Sequence, residues 1–472
     1  VLFNSLVFVA FLAVCLVLYA SPLSWRVRKG VLLVASYLFY AAWNPPFVAL
    51  LAVSTLVDWH LAKRMPAAPA GRRRALLITS LIVNLGLLGY FKYGGFLLEN
   101  FQRLVAAAGI DYRPPDWDIV LPVGISFYTF QTLSYTLDVY RGRLEPWKSS
   151  LDFGLFVSFF PQLVAGPIVR AADFLPQCTE PRRVSADQLG WGTALLTLGL
   201  FEKVILADTF LAPVADRVYG LVEHARFTDA WVGTLAFSGQ IFFDFAGYST
   251  CAVGVATLFG FVIPRNFLFP YAAIGFSDFW RRWHVSLSSW LRDYLYVPLG
   301  GNRRGGARTL LNLMLTMLLG GLWHGAAWRF VIWGGLHGLY LVGERGLRRL
   351  AGGAAWLERR RARILLALTT YLLVCFAWVF FRAADLGSAL EICGAMLGGG
   401  ADGPSVLLRG STRVVLGLTV ATLAAHWWMR ERTLEELATG LPPWARAVSI
   451  GLMWTCLALA PGDERAFIYF QF

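Results

Sequence analysis

The sequence has 472 residues, of which 57% are hydrophobic and only 15% charged. A soluble chain carries about 25% charged residues, so an ordinary soluble globular protein is excluded. The net charge of +13 does not point to nucleic acid, because many basic residues sit in short clusters between apolar runs, as in the cytoplasmic loops of membrane proteins.

The first apolar run is Leu6–Ala20. No basic residues precede it, which argues for a retained helix rather than a cleaved signal peptide. Arg26, Arg28 and Lys29 follow, then apolar residues 31–42, the turn Asn44-Pro45-Pro46, and apolar residues 47–61. A second basic set, Lys63, Arg64 and Arg72–Arg74, precedes the run 75–91. Further runs occupy 189–201, 364–380, 414–428 and 447–460, each reaching or approaching the roughly 17–25 residues of a bilayer span. With the basic clusters on the cytoplasmic side, including Arg348, Arg349 and Arg359–Arg361, both ends of the sequence fall on the extracytoplasmic side. The expectation is an all-α polytopic membrane protein of roughly ten to twelve helices. It forms a single domain over 1–472, with an aromatic tail at 461–472.

The middle of the chain is less regular. Pro122, Pro161, Gly166-Pro167 and Pro264 interrupt apolar stretches, and residues 275–304 mix apolar residues with Arg, Asp, His and Ser. Irregular backbone at membrane depth is tolerated only where it is buried in protein or lines a wet cavity, so re-entrant or broken helices around a cavity are expected there. The six cysteines are scattered and show neither metal spacing nor a disulfide framework.

Ionisable residues inside such a chain are the most informative positions. In Ser277-Asp278-Phe279-Trp280-Arg281-Arg282-Trp283-His284-Val285-Ser286-Leu287-Ser288, helical spacing puts Asp278 on the face of Arg281 and Arg282, with His284 close behind. An amphipathic helix on the membrane surface is the alternative. In Gly320-Gly321-Leu322-Trp323-His324-Gly325, a histidine lies among small and apolar residues. A neutral imidazole can take a proton from a hydroxyl, as acyl transfer to an alcohol requires; an interhelical hydrogen bond is the alternative. His337 follows 13 residues later. On one continuous helix it would lie about 20 Å from His324, too far to share a reacting atom, so a structural role is expected. Asp244, in Phe242-Phe243-Asp244-Phe245-Ala246-Gly247-Tyr248-Ser249, should pair with an arginine, orient a histidine or face a cavity. The aromatic tail Phe467-Ile468-Tyr469-Phe470-Gln471-Phe472 should dock into the bundle, an interface or a partner. No phosphate loop, GxSxG elbow or HExxH pair is present.

Four stretches in order resemble the membrane-bound O-acyltransferase family. They are Leu121-Pro122-Val123-Gly124-Ile125-Ser126-Phe127-Tyr128, Phe160-Pro161-Gln162-Leu163-Val164-Ala165-Gly166-Pro167-Ile168, the 278–288 block, and Leu322-Trp323-His324-Gly325. One departure is Thr250, where relatives commonly carry a second aspartate.

The resemblance implies helices around a central tunnel, a cytoplasmic acyl donor and an extracytoplasmic acceptor, in a bacterial inner membrane. It maps the hallmark histidine onto His324 and the second polar position onto His284. It makes Tyr469 a candidate acyl relay, and acetyl-CoA the donor for acetylation of an alginate-like polysaccharide with a periplasmic acyltransferase partner. Asp244 and Asp278 are supporting polar residues, and Arg281, Arg282, Arg303 and Arg304 candidate contacts for the donor phosphates. No bound cofactor or metal is expected. Transfer of D-alanine or another acyl group, and a transporter without covalent chemistry, are the competing expectations.

Overall fold

The computed structural model describes residues 3–114, 119–350, 352, 359–460 and 465–468. It is 76% helical, and no strand occurs among the described residues. Three helical stretches there are long and apolar enough to cross a bilayer by length and composition: Ala70–Ala107, Phe227–Leu258 and Arg360–Arg382. The shorter helix Leu6–Ala20 turns Leu6, Val7 and Val17 outward at 86%, 67% and 69% exposure. Contiguous apolar exposure of this kind suits lipid rather than water. The chain is an all-α membrane protein, and its contacts divide it into two compact units, Val1–Thr193 with Ala252–Pro264, and Ala194–Cys251 with Arg265–Phe472.

In the first unit, local sequence fixes where helices begin. Ser5 caps Leu6–Ala20 by accepting from the Phe8 amide, and Ser24 caps Trp25–Ala41; each hydroxyl satisfies an amide that has no partner within the helix. The Asn44-Pro45-Pro46 turn leads into Phe47–Arg64. A buried polar seam ties Phe47–Arg64, Ala70–Leu88 and Ile125–Tyr140 together. Asn84 donates to Asp58 (2.8 Å) and accepts from Ser54 (2.7 Å) and Thr132 (3.2 Å). Such interhelical bonds replace the water that a lipid-embedded bundle lacks. Lys29, one of the basic residues that sequence reading assigns to a loop cluster, is 8% exposed and pairs with Asp152.

In the second unit, the helices Gly306–His324 and Trp328–Leu350 cross backbone to backbone. A Cβ on Gly321 would stand 2.2 Å from the Phe330 carbonyl oxygen, and one on Gly334 would stand 2.2 Å from that of Met317. Only glycine admits this approach, which sets the end of the first helix, and His324 with it, against the second. Gly321→Ala is therefore expected to destabilise the protein by about 1–3 kcal/mol through overpacking. Gly346→Ala on the same hairpin, where nothing lies within 4 Å of the added atom, is expected to be tolerated. Thermal unfolding in detergent, followed by fluorescence, compares the two.

Candidate active site

The sequence block 276–288 forms not one helix but two, Phe276–Arg282 and Val285–Leu291, with the break at Trp283-His284. His284 adopts φ 42° and ψ 56°, a left-handed conformation that costs an L-residue about 1–2 kcal/mol. Asn266 holds it there. Its carbonyl oxygen accepts from the Val285 amide at 2.9 Å. Its Oδ1 accepts from the Ser286 hydroxyl at 2.6 Å and lies 3.3 Å from His284 Nδ1. The Ser286 amide, which can only donate, also points at Oδ1 from 3.4 Å and fixes that end of the Asn266 amide as the oxygen, while Nδ2 donates to Ser249 at 3.1 Å. An amide oxygen only accepts, so Nδ1 carries the proton and Nε2 keeps a lone pair. The ring is fully buried and meets Phe245 edge-on at 4.7 Å.

His324 is the last residue of its helix, and Gly325 leaves in extended backbone. Its ring is enclosed by Trp323 at 5.0 Å, Trp333 at 5.0 Å and Phe381 at 5.3 Å, all edge-on. The Trp323 ring also lies 6.1 Å from His284. The two histidines that the sequence singles out, 40 residues apart by their numbering, thus both neighbour one indole.

His337 is closer to this centre than the continuous-helix reading allows. The helix stops at His324 and a new one starts at Trp328. Trp333 touches both His324 and His337, the latter at 4.8 Å, so the imidazoles are separated by at most the sum of two ring contacts, about half the roughly 20 Å of an unbroken helix. Among the described residues neither nitrogen of His337 has a hydrogen-bond partner. His337→Phe therefore leaves no donor or acceptor stranded, and its melting midpoint is expected to stay within a few degrees of the wild-type value.

Asp278 pairs with Arg282 and with Arg430, each at 2.9 Å. Burial opposes its charge, but the Ile274 amide and the two guanidinium groups outweigh that and hold the carboxyl below its ordinary value. Arg281 and Arg282 line a cavity of about 410 Å³ together with Arg265, Arg430 and Arg432. Glu202, Thr250, Phe242 and Phe267 also line it. Phe267 lies 5.0 Å from Phe245, the ring that meets His284, so an arginine-rich mouth and the buried imidazole are two aromatic rings apart. Arg303 and Arg304 stand exposed and are not among the lining residues.

Asp244 pairs with a lysine rather than with an arginine or a histidine. Lys203 lies between Asp244 and Asp208, 3.0 Å from the latter, and Asp244 also accepts the Ile468 amide at 2.8 Å. Phe467 is fully buried, 4.9 Å from Tyr248 and 5.7 Å from Phe245. The aromatic segment thus docks within its own unit as far as Ile468; Tyr469 lies outside the described residues. Sequence reading missed Asn266 and Lys203. Glu202-Lys203 continues the apolar run 189–201, and charges at such a place are a signal in themselves. A single Asn266 in a loop offers none.

Residues 147–384 match the model of the membrane-bound O-acyltransferase family. The chain is 39% identical to a probable alginate O-acetylase of Pseudomonas putida, over 100% of both chains. It is 37% identical to a peptidoglycan O-acetyltransferase of Helicobacter pylori, over 78% of this chain and 73% of the relative. With a teichoic acid D-alanyltransferase of Bacillus subtilis it shares 28% identity, over 57% of this chain and 70% of the relative.

Proposed function

The chain belongs to the membrane-bound O-acyltransferase family, and from that premise we propose that it carries acetyl groups from cytoplasmic acetyl-CoA to hydroxyls of an extracytoplasmic, alginate-like polysaccharide at a bacterial inner membrane. The enzyme is an O-acyltransferase, and similarity to the two O-acetyltransferases covers more of the chain than similarity to the D-alanyltransferase. The observation that carries the mechanistic reading is the pair of buried imidazoles that share Trp323 as a ring neighbour.

In this reading His324 is the general base. It takes the proton of the acceptor hydroxyl while that oxygen attacks the thioester carbonyl; the carbon–sulfur bond then breaks, and the CoA thiolate leaves and recovers a proton. The three aromatic rings around His324 limit water that would hydrolyse the thioester. His284, with Nδ1 held by Asn266, offers Nε2 to the donor or to His324. Asp278 fixes Arg282 and Arg430 in the cavity wall, and Arg281 with its neighbours receives the phosphates, for which the guanidinium fork is suited. The exposed Arg303 and Arg304 are candidate secondary contacts. Acetyl passes directly to the acceptor, to a periplasmic acyltransferase partner, or through Tyr469. A phenol of pKa about 10 needs a neighbouring base to serve as nucleophile. Both ends of the sequence lie on the outer side in this scheme, and residues 1–472 act as one catalytic domain.

Two measurements test it. Purified protein in lipid should release CoA from acetyl-CoA and not from longer acyl thioesters, and it should ignore a D-alanyl carrier protein; preference for that carrier would replace the acetyl assignment. Arg281→Ala combined with Arg432→Ala should raise KM for acetyl-CoA roughly 10- to 100-fold, as expected for lost charge-assisted bonds, with kcat nearly unchanged.

A further inference from the structure

We infer that Asp244 is a positioning residue that, with Lys203 and Asp208, holds the segment 465–468 beside the aromatic wall of the active site. Asp244 is 1% exposed and sits in the apolar helix Phe227–Leu258. A buried carboxylate needs a matching charge and satisfied lone pairs. Lys203 Nζ supplies the charge, but it is shared with Asp208. With all three groups ionised the cluster carries one excess negative charge, and the Ile468 amide points at it from 2.8 Å.

A second contact holds the other end of the segment. Arg465 pairs with Asp216 at 2.5 Å, and the same carboxylate takes Arg382, the last residue of Arg360–Arg382, at 2.7 Å. Between these two anchors Phe467 lies against Tyr248 and Phe245. Phe245 is the ring that meets His284. The segment is therefore clasped at both ends, and its central ring is one phenyl group away from a site histidine. Released from Asp244, the segment loses the hydrogen bond of its Ile468 amide, and Phe467 loses its fixed register.

The functional half of this inference rests on the acyl-transfer reading, because correct placement matters only if the segment serves transfer; the docking half does not. Hydrogen–deuterium exchange of the protein in lipid nanodiscs reads docking directly. Peptides covering 465–468 are expected to exchange slowly in wild type and roughly tenfold faster or more in Asp244→Ala and in Arg465→Ala, each of which removes a charged hydrogen-bond partner. Asp244→Asn keeps an acceptor for the Ile468 amide and is expected to retain most of the protection. In Asp244→Ala and Arg465→Ala, kcat for acetyl transfer should fall while KM for acetyl-CoA stays put, and Asp244→Asn should keep most of its kcat. Arg465 is partly exposed and outside the buried cluster, so Arg465→Ala decides the matter if Asp244→Ala fails to fold. Unchanged exchange in the folded variants overturns the clasp. Faster exchange with undiminished kcat overturns the positioning role. If wild type transfers no acetyl at all, the acyl-transfer reading fails and, with it, the positioning role, while the exchange result still decides docking.

Discussion

His324→Ala is expected to lower acetyl transfer by 10²- to 10⁴-fold, the usual contribution of a positioned general base, while the protein stays folded. The ring is buried at a helix end among the edges of Trp323, Trp333 and Phe381. Removing it therefore costs local packing, and the hairpin crossing at Gly321 and Gly334 remains. CoA release from labelled acetyl-CoA gives the rate, and size-exclusion behaviour in detergent reports the fold. His324→Gln keeps much of the volume and cannot accept a proton at neutral pH, so it should be as inactive as alanine. Activity within tenfold of wild type in either variant would remove His324 from the chemistry.

The second large effect is at His284, where backbone and imidazole have to be separated. His284→Asn tolerates the left-handed backbone, since asparagine visits that region more readily than most residues. It removes the imidazole and should reduce transfer about 100-fold or more with little change in melting midpoint. His284→Val lacks that tolerance at φ 42°; a β-branched residue there is strained, and the variant should lose stability as well as activity. An active, stable His284→Asn protein would reduce His284 to a backbone device for the turn between two short helices. Asn266→Ala is the companion variant: it removes the amide oxygen shared by the Ser286 hydroxyl and His284 Nδ1, so its activity should fall with that of His284→Asn.

Much of the fold was legible because a bilayer writes its demands locally. The runs 364–380 and 414–428 became the cores of Arg360–Arg382 and Arg409–Met429, and the start of Leu6–Ala20 coincides with its serine cap. The two histidines were legible because an imidazole in an apolar stretch is conspicuous. What could not be read were placements set by distant partners. The helix break at His284 depends on Asn266, 18 residues earlier, and the partner of Asp244 comes from Lys203, 41 residues earlier by the numbering. Helical periodicity also misled at His337. It assumes that a helix continues, and the turn Gly325-Ala326-Ala327 after His324 brings His337 back toward the centre through Trp333.

The arginine cavity shows the same division. Arg281 and Arg282 declared themselves by sitting in an apolar block, and their neighbours Arg265, Arg430 and Arg432 are brought in by the fold alone. Arg303 and Arg304 share the sequence signal without the location. A cluster of guanidinium groups has meaning for a phosphate-bearing donor only where they converge on one volume.

The central claim is that one protein takes acetyl from a thioester on one side of a membrane and delivers it to the other. Sealed proteoliposomes of uniform orientation, given acetyl-labelled acetyl-CoA on the cytoplasmic face and acceptor polysaccharide with the partner acyltransferase on the opposite face, measure that directly. The account predicts label on the acceptor and free CoA retained on the donor side, both lost in His324→Ala. Label that stays with the donor at the level of His324→Ala vesicles, although the membranes are sealed and the protein folded, would contradict it.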